Sequence, residues 1–125
     1  MQALVVDDSK AMRMILGKIL REIGFTISEA KDGRAGLEQL AASGAVDLVM
    51  VDWNMPEMNG LEFVRIVRTV PGFEHMPLIM VTTETEMSQV VKALEAGASE
   101  YIMKPFTKDA IIEKLELLGI PASHP

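Results

Sequence analysis

Short apolar runs and longer stretches of helical periodicity alternate along this chain. Ala3-Leu4-Val5-Val6 is unbroken apolar sequence ending at Asp7-Asp8, and it predicts a strand buried on both faces. From Lys10 the spacing changes: Met12, Ile15, Leu16, Ile19, Leu20 and Ile23 recur at helical intervals, and Gly24 follows as the stop. Phe25 to Ala30 is short and holds β-formers, which predicts a second strand. The turn "KDG" leads to a second helix, marked by Ala35, Leu37, Leu40 and Ala41 and ending near Gly44. Leu48 to Val51 is the third strand, and Leu61 to Val70 the third helix, with Leu61, Val64, Ile66 and Val67 apolar. Pro77 introduces a fourth strand, Leu78 to Val81, which runs into Thr82-Thr83. Met87 to Ala96 is the fourth helix, closed by Gly97. Tyr101-Ile102-Met103 is a short fifth strand that stops at Lys104-Pro105. Thr107 caps a last helix whose inner face is Ile111, Ile112, Leu115 and Leu118.

The pattern is strand then helix, five times over. Near-continuous apolar strands joined by helices imply a parallel sheet covered on both faces. Five units in 125 residues favour an open doubly wound α/β sheet over a closed barrel, which needs about 250. Residues 1–125 read as one domain with a core at about 2–118. No repeat, low-complexity tract or linker interrupts it, and the tail from 119 to 125 is expected to fray.

Composition narrows the function. With 18 acids against 12 Lys and Arg the formal charge is −6, which disfavours non-specific binding to nucleic acid. No apolar stretch approaches the ~18 residues that cross a bilayer, so no membrane partner is expected. The start, "MQALVVDDSK", lacks a basic n-region, and cysteine is absent; both fit a cytoplasmic protein.

The chemistry gathers at the strand ends. In open α/β sheets the ligand crevice lies beyond the carboxyl ends of the strands. The residues that end these strands are Asp7-Asp8, Asp52, Thr82-Thr83 and Lys104. Singly, each has a plain reading: Asp8 as a helix cap, Asp52 as a turn residue, the threonines as turn or cap, Lys104 as a solvated loop charge. Together they describe a site. Three close carboxylates raise one another's pKa unless a cation sits among them. An all-oxygen set of that kind suits Mg²⁺, with Mn²⁺ as a substitute. A hydroxyl and an ammonium opposite suit phosphate, and a nucleophilic Asp52 among them could form an aspartyl phosphate. No GxxxxGK[ST], GxGxxG, GxSxG or HExxH motif competes, and His75 and His124 read as incidental.

With those residues in place, the chain resembles the receiver domain of bacterial response regulators over about residues 2–118. The stretches that carry the resemblance are "VVDDS", "DWNMPEMNG", "MVTTE" and "YIMKPFT". Within the family, "DWNMP", "KPFT" and Tyr101 are most similar to the single-domain chemotaxis receivers. The resemblance implies a flavodoxin-like sheet of strand order 2-1-3-4-5. It implies that Asp52 accepts a phosphoryl group from a phosphohistidine on a sensor histidine kinase. Asp7, Asp8 and Asp52, with the backbone carbonyl of Asn54, would hold Mg²⁺. Thr82 and Lys104 would contact the phosphoryl oxygens, and the Lys104–Pro105 bond would be cis. Tyr101 would turn inward when Thr82 moves, altering an output face that includes Met87, Val90, Tyr101, Phe106 and Lys114. Asn54 and Glu84 would flank the path of the hydrolytic water and tune dephosphorylation. Such a protein catalyses only its own phosphorylation and dephosphorylation, and signals to a protein target such as the flagellar motor switch. One departure is that Glu86-Met87 stands where chemotaxis receivers often open the fourth helix with lysines.

Two other classes share features of this pattern. A haloacid-dehalogenase-type phosphatase also uses a strand-end Asp and Mg²⁺, but needs an acid where Asn54 stands. A flavodoxin-like electron carrier needs a phosphate-cradling loop where Asp7-Asp8 stands.

Overall fold

A computed structural model describes residues 1–83 and 87–121. Strands and helices alternate as β1 (Gln2–Val6), α1 (Lys10–Ile23), β2 (Thr26–Ala30), α2 (Gly33–Ser43), β3 (Leu48–Asp52), α3 (Gly60–Thr69), β4 (Leu78–Thr82), α4 (Met87–Ala96), β5 (Glu100–Met103) and α5 (Lys108–Leu117). All pairings are parallel, in the order β2-β1-β3-β4-β5. The expected flavodoxin-like topology is therefore the observed one. The chain leaves β1 for β2 at one edge and returns across it to β3, so the order reverses between β1 and β3.

The unbroken apolar strands follow from this covering. Successive side chains of a strand face opposite ways, so a strand roofed on both sides must be apolar at every position. Leu4, Val6, Val49, Val51, Leu78 and Met80 point to one face, where Leu40, Phe63, Val64, Val67 and Ala93 of α2, α3 and α4 meet them. Ala3, Val5, Leu48, Met50, Ile79 and Val81 point to the other, under Leu16, Leu20 and Ile23 of α1 and Ile111, Ile112 and Leu115 of α5. Fully burying one such side chain stabilises by about 1.5–3 kcal/mol, so these two layers dominate the fold.

Not every apolar residue at helical spacing faces the core. Ile15 and Ile66 are exposed at 49% and 40%, and Ala41 also faces solvent. A helix advances about 100° per residue. The stripe centred on Leu16, Leu20 and Ile23 therefore leaves Ile15 a quarter-turn away. On α3, Phe63 takes the inner place, fully buried, and pushes the stripe past Ile66. The tail is not frayed throughout: Ile120 is 8% exposed, and its N–H donates to the Leu115 carbonyl at 2.9 Å. Residues 122–125 lie outside the described residues.

Opposite the carboxyl edge of the sheet, Arg68 leaves the last turn of α3 and is held by oxygens alone. Its Nε donates to the Gly97 carbonyl at 2.9 Å, and its Nη1 to the carbonyls of Phe73 and Met76 at 2.8 and 2.7 Å. Nη2 donates to the Ser99 hydroxyl at 3.3 Å. Burial lowers the guanidinium pKa, yet arginine stays cationic. Gly97, at φ +118°, is closely packed here: a Cβ would stand 2.7 Å from Arg68 Cγ. Among the described residues no helix is long and apolar enough to cross a membrane.

Candidate functional site

The stretch "VDWNMPEMNG" turns a buried strand into a helix in little space. Asp52 is the last residue of β3 and 6% exposed. The sheet ladder continues one residue further, with Trp53 N–H donating to the Val81 carbonyl at 2.8 Å. The backbone then leaves the sheet, and Glu57 adopts φ +67°, a left-handed conformation unusual for a side chain larger than glycine. Asn59 caps α3: its side chain accepts from Glu62 N–H at 2.9 Å, and the Glu62 carboxylate accepts from Asn59 N–H at 3.2 Å. Gly60 N–H bonds back to the Trp53 carbonyl at 2.9 Å. A Cβ at Gly60 would lie 2.4 Å from the Asp52 carbonyl oxygen and 3.0 Å from Trp53 Cα. The loop fits only because that residue is glycine.

Beside Asp52, across the point where strand order reverses, β1 delivers the other two acids. Asp7 is 1% exposed; its N–H donates to the Ala30 carbonyl at 3.1 Å, and its Oδ1 accepts from Ser9 N–H at 2.8 Å. Ser9, not Asp8, caps α1, accepting from Met12 N–H at 3.2 Å. The cap reading of Asp8 therefore falls away, and its exposed carboxylate joins the cluster. One carboxylate oxygen from each of Asp7, Asp8 and Asp52 lies within 4.8 Å of the others.

The cation present in the site is Lys104. Its Nζ stands 3.1 Å from Asp52 Oδ1 and 3.9 Å from Asp7 Oδ2. It is therefore no solvated loop charge. Its backbone N–H donates to the Thr82 carbonyl at 2.8 Å, and the Lys104–Pro105 bond is cis. Thr82 ends β4 beside it, 3% exposed. Burial raises the pKa of both Asp7 and Asp52; Ser9 N–H and Lys104 counteract it at Asp7, and Lys104 does so at Asp52.

One ammonium leaves three carboxylates short of charge balance. The buried Oδ2 of Asp7 has no hydrogen-bond partner among the described residues. Buried acceptors are normally satisfied, so an orphan aimed into an acidic cluster fits a missing cationic ligand. A hard divalent ion suits this all-oxygen donor set. Asn54, exposed, follows Asp52 by two residues in the loop.

The remaining expected residues are more scattered. Tyr101 is half-buried on β5 and packs against the α2–α4 side of the core. Lys114 Nζ lies 4.3 Å from the centre of its ring and 3.0 Å from Glu100 Oε1. Val90 is 8% exposed, and Phe106 packs on the α1–α5 side. Glu84 and Glu86 lie outside the described residues, and for Met87 only its place at the start of α4 is described. Two residues were missed by sequence reasoning: Gly60, and Arg13, whose Nη1 donates to the Asp7 carbonyl at 2.6 Å. The asparagine–glycine pair before α3 hinted at the first; a lone arginine on a helix gives no signal of the second.

Comparison with known proteins agrees with this geometry. The pattern defining the response regulator receiver domain matches residues 3–116. The chain is 44% identical over 119 residues to chemotaxis protein CheY1 of Helicobacter pylori, covering 94% of this chain and 96% of that one. It is 47% identical over 117 residues to the chemotaxis protein CheY homolog of Campylobacter jejuni, covering 93% and 90%. Among solved structures, chemotaxis protein CheY4 of Vibrio cholerae superposes with a TM-score of 0.87 at 32% identity, covering 94% of this chain and 97% of that one.

Proposed function

The chain belongs to the response regulator receiver family, and from that membership we propose that it acts as a chemotaxis receiver that accepts a phosphoryl group on Asp52. The observation that carries this is the ion pair of Lys104 with Asp52 inside the three-carboxylate cluster. A lysine that close can follow the charge of Asp52 from carboxylate to acyl phosphate.

In this reading Asp7, Asp8, Asp52 and the Asn54 carbonyl would hold Mg²⁺, which would supply charge neutralisation for the incoming phosphoryl oxygens. An Asp52 carboxylate oxygen attacks the phosphorus of a phosphohistidine on a sensor histidine kinase. The new O–P bond forms as the N–P bond breaks, and the imidazole leaves with the bonding pair. Lys104 pairs with one phosphoryl oxygen and the Thr82 hydroxyl donates to another. The acyl phosphate carries roughly −1.5 to −2 charges where the carboxylate carried one, and its added oxygens draw Thr82 toward Asp52 and make room for the Tyr101 ring. The face of α4, β5 and α5, with Met87, Val90, Tyr101, Phe106 and Lys114, then changes for a downstream protein such as the flagellar motor switch. Asn54, two residues beyond Asp52, flanks the hydrolytic water, and since it is not bulky and apolar the signal lasts seconds to minutes. The protein works in the cytoplasm, and the chain spans 90–96% of the length of these relatives.

A phosphorelay intermediate outside chemotaxis is the second reading, favoured by Glu86-Met87 where lysines open the fourth helix of many chemotaxis receivers. The test begins with acetyl phosphate and Mg²⁺: wild type gains one phosphoryl mass and Asp52→Asn none. A mass gain that persists in Asp52→Asn moves the chemistry elsewhere. Thr82→Ala should still be phosphorylated yet lose most of the phosphorylation-dependent gain in partner affinity; full retention of that gain would remove Thr82 from the switch.

A further inference from the structure

Behind the acidic cluster lies a polar chain that reaches the edge of the sheet. Arg13 is on the first turns of α1 and its side chain is 14% exposed. Its Nη1 donates to the Asp7 carbonyl at 2.6 Å, and its Nε to Glu29 Oε1 on β2 at 3.1 Å. The Glu29 carbonyl in turn accepts from the Gln39 amide of α2. The Asp7 carbonyl begins the peptide that leads to Asp8. Whatever holds that oxygen fixes the plane from which both metal-facing carboxylates project.

We propose that Arg13 is a positioning residue of the cation site, orienting the Asp7–Asp8 peptide, with Glu29 holding the guanidinium in place. Asp7 is pinned from three sides, two of them through its backbone. Its N–H is bonded to the Ala30 carbonyl at 3.1 Å, its Oδ1 to Ser9 N–H at 2.8 Å, and its carbonyl to Arg13. The first two arise from the sheet and the helix start. The third is a side chain's contribution, and it keeps the carbonyl turned away from the cluster toward β2. Without it the peptide could rotate, and the Asp8 carboxylate, exposed and uncapped, would lose its fixed direction.

Electrostatics alone makes the opposite prediction, which gives the test its force. Arg13 is a positive charge close to a cation site, so deleting it should tighten cation binding if charge were all that mattered. Loss of a partner that orients ligands instead weakens metal affinity, by about 10–100-fold in known sites. The proposal rests on reading the acids as a cation site, and one titration separates the two ideas. Mg²⁺ is titrated into the full chain while Trp53 fluorescence is followed, for wild type, Asp8→Ala, Arg13→Ala, Arg13→Lys, Glu29→Gln and the Arg13→Ala/Glu29→Gln double variant. Saturable binding by wild type that is lost in Asp8→Ala supports the site itself; identical responses would sink that reading. The positioning role predicts roughly tenfold weaker binding in Arg13→Ala, partial recovery in Arg13→Lys, and a smaller loss in Glu29→Gln. The double variant should bind no more weakly than Arg13→Ala, because Glu29 acts through Arg13. A general loss of stability would not change the affinity of molecules that remain folded. Unchanged or tighter Mg²⁺ binding in Arg13→Ala, or in Glu29→Gln should Arg13→Ala fail to fold, overturns the proposal while leaving the site intact.

Discussion

Lys104 Nζ lies 3.1 Å from Asp52 Oδ1 and only 0.8 Å further, at 3.9 Å, from Asp7 Oδ2, so one ammonium is shared between two buried carboxylates. Removing it leaves both without their nearest positive charge. Breaking a buried pair by deleting one partner costs about 3–5 kcal/mol. Lys104→Met should therefore melt well below wild type in metal-free buffer. Saturating Mg²⁺ should recover much of the loss, since a cation bound to the folded state alone stabilises it by an amount that grows with the logarithm of its concentration over Kd. Thermal melts with EDTA and with Mg²⁺ measure both. Equal melting of the two proteins in EDTA would mean that the ammonium does not stabilise the cluster.

The shifted carboxylates set a pH dependence. Burial raises the folded-state pKa of Asp52 above its ordinary 3.8, so the folded protein binds this proton more tightly than the unfolded chain. Between the unfolded and folded values the native state holds more protons, and stability falls as pH rises through that window. Above the window the loss is complete. Asp52→Asn removes the effect. Without divalent cation it should be more stable than wild type at pH 7, and the gap should narrow as pH falls toward 3.8. Paired melts across this range test it; a gap constant with pH, or of the opposite sign, would contradict the assignment.

Lys114 holds the Tyr101 ring by its face at 4.3 Å while bonding Glu100 at 3.0 Å. A cation over a partly exposed ring contributes about 0.5–1 kcal/mol, which is roughly a two- to fivefold bias between ring positions. Lys114→Ala should shift the ring toward its inner position before any phosphorylation. The chain has 1 tyrosine, so 3-fluorotyrosine gives a single ¹⁹F signal that reports the ring's surroundings directly. A resonance unmoved by Lys114→Ala would show that the ammonium does not bias it.

The fold was legible because both sheet faces are covered, which forces unbroken apolar strands such as Leu48 to Val51. The acids were legible because a carboxylate ending such a strand has few structural reasons to be there. Helix faces were less so: Ile15 and Ile66 are apolar yet exposed, since helical spacing alone does not choose which edge of the stripe meets the sheet. Arg13 and Arg68 could not be read at all. Both bond backbone carbonyls, and a carbonyl is present at every residue, so only the assembled chain reveals which one a guanidinium reaches.

The four bonds of Arg68 have a mechanical consequence. They fasten Gly97 and Ser99, just past the end of α4, to α3 and to the loop before β4, on the side of the sheet away from Thr82. A rod held at one end swings and does not slide. α4 spans about 15 Å, so a rotation of ~10° about its fastened end carries the Met87 end by roughly 2.5 Å while Ala96 barely moves. The guanidinium thus acts as a pivot pin, and a push beside Thr82 is geared into its largest displacement at the end of α4 nearest the push. Amide exchange would register this as a gradient along α4, slow near Ala96 and fast near Met87, and Arg68→Met should flatten it.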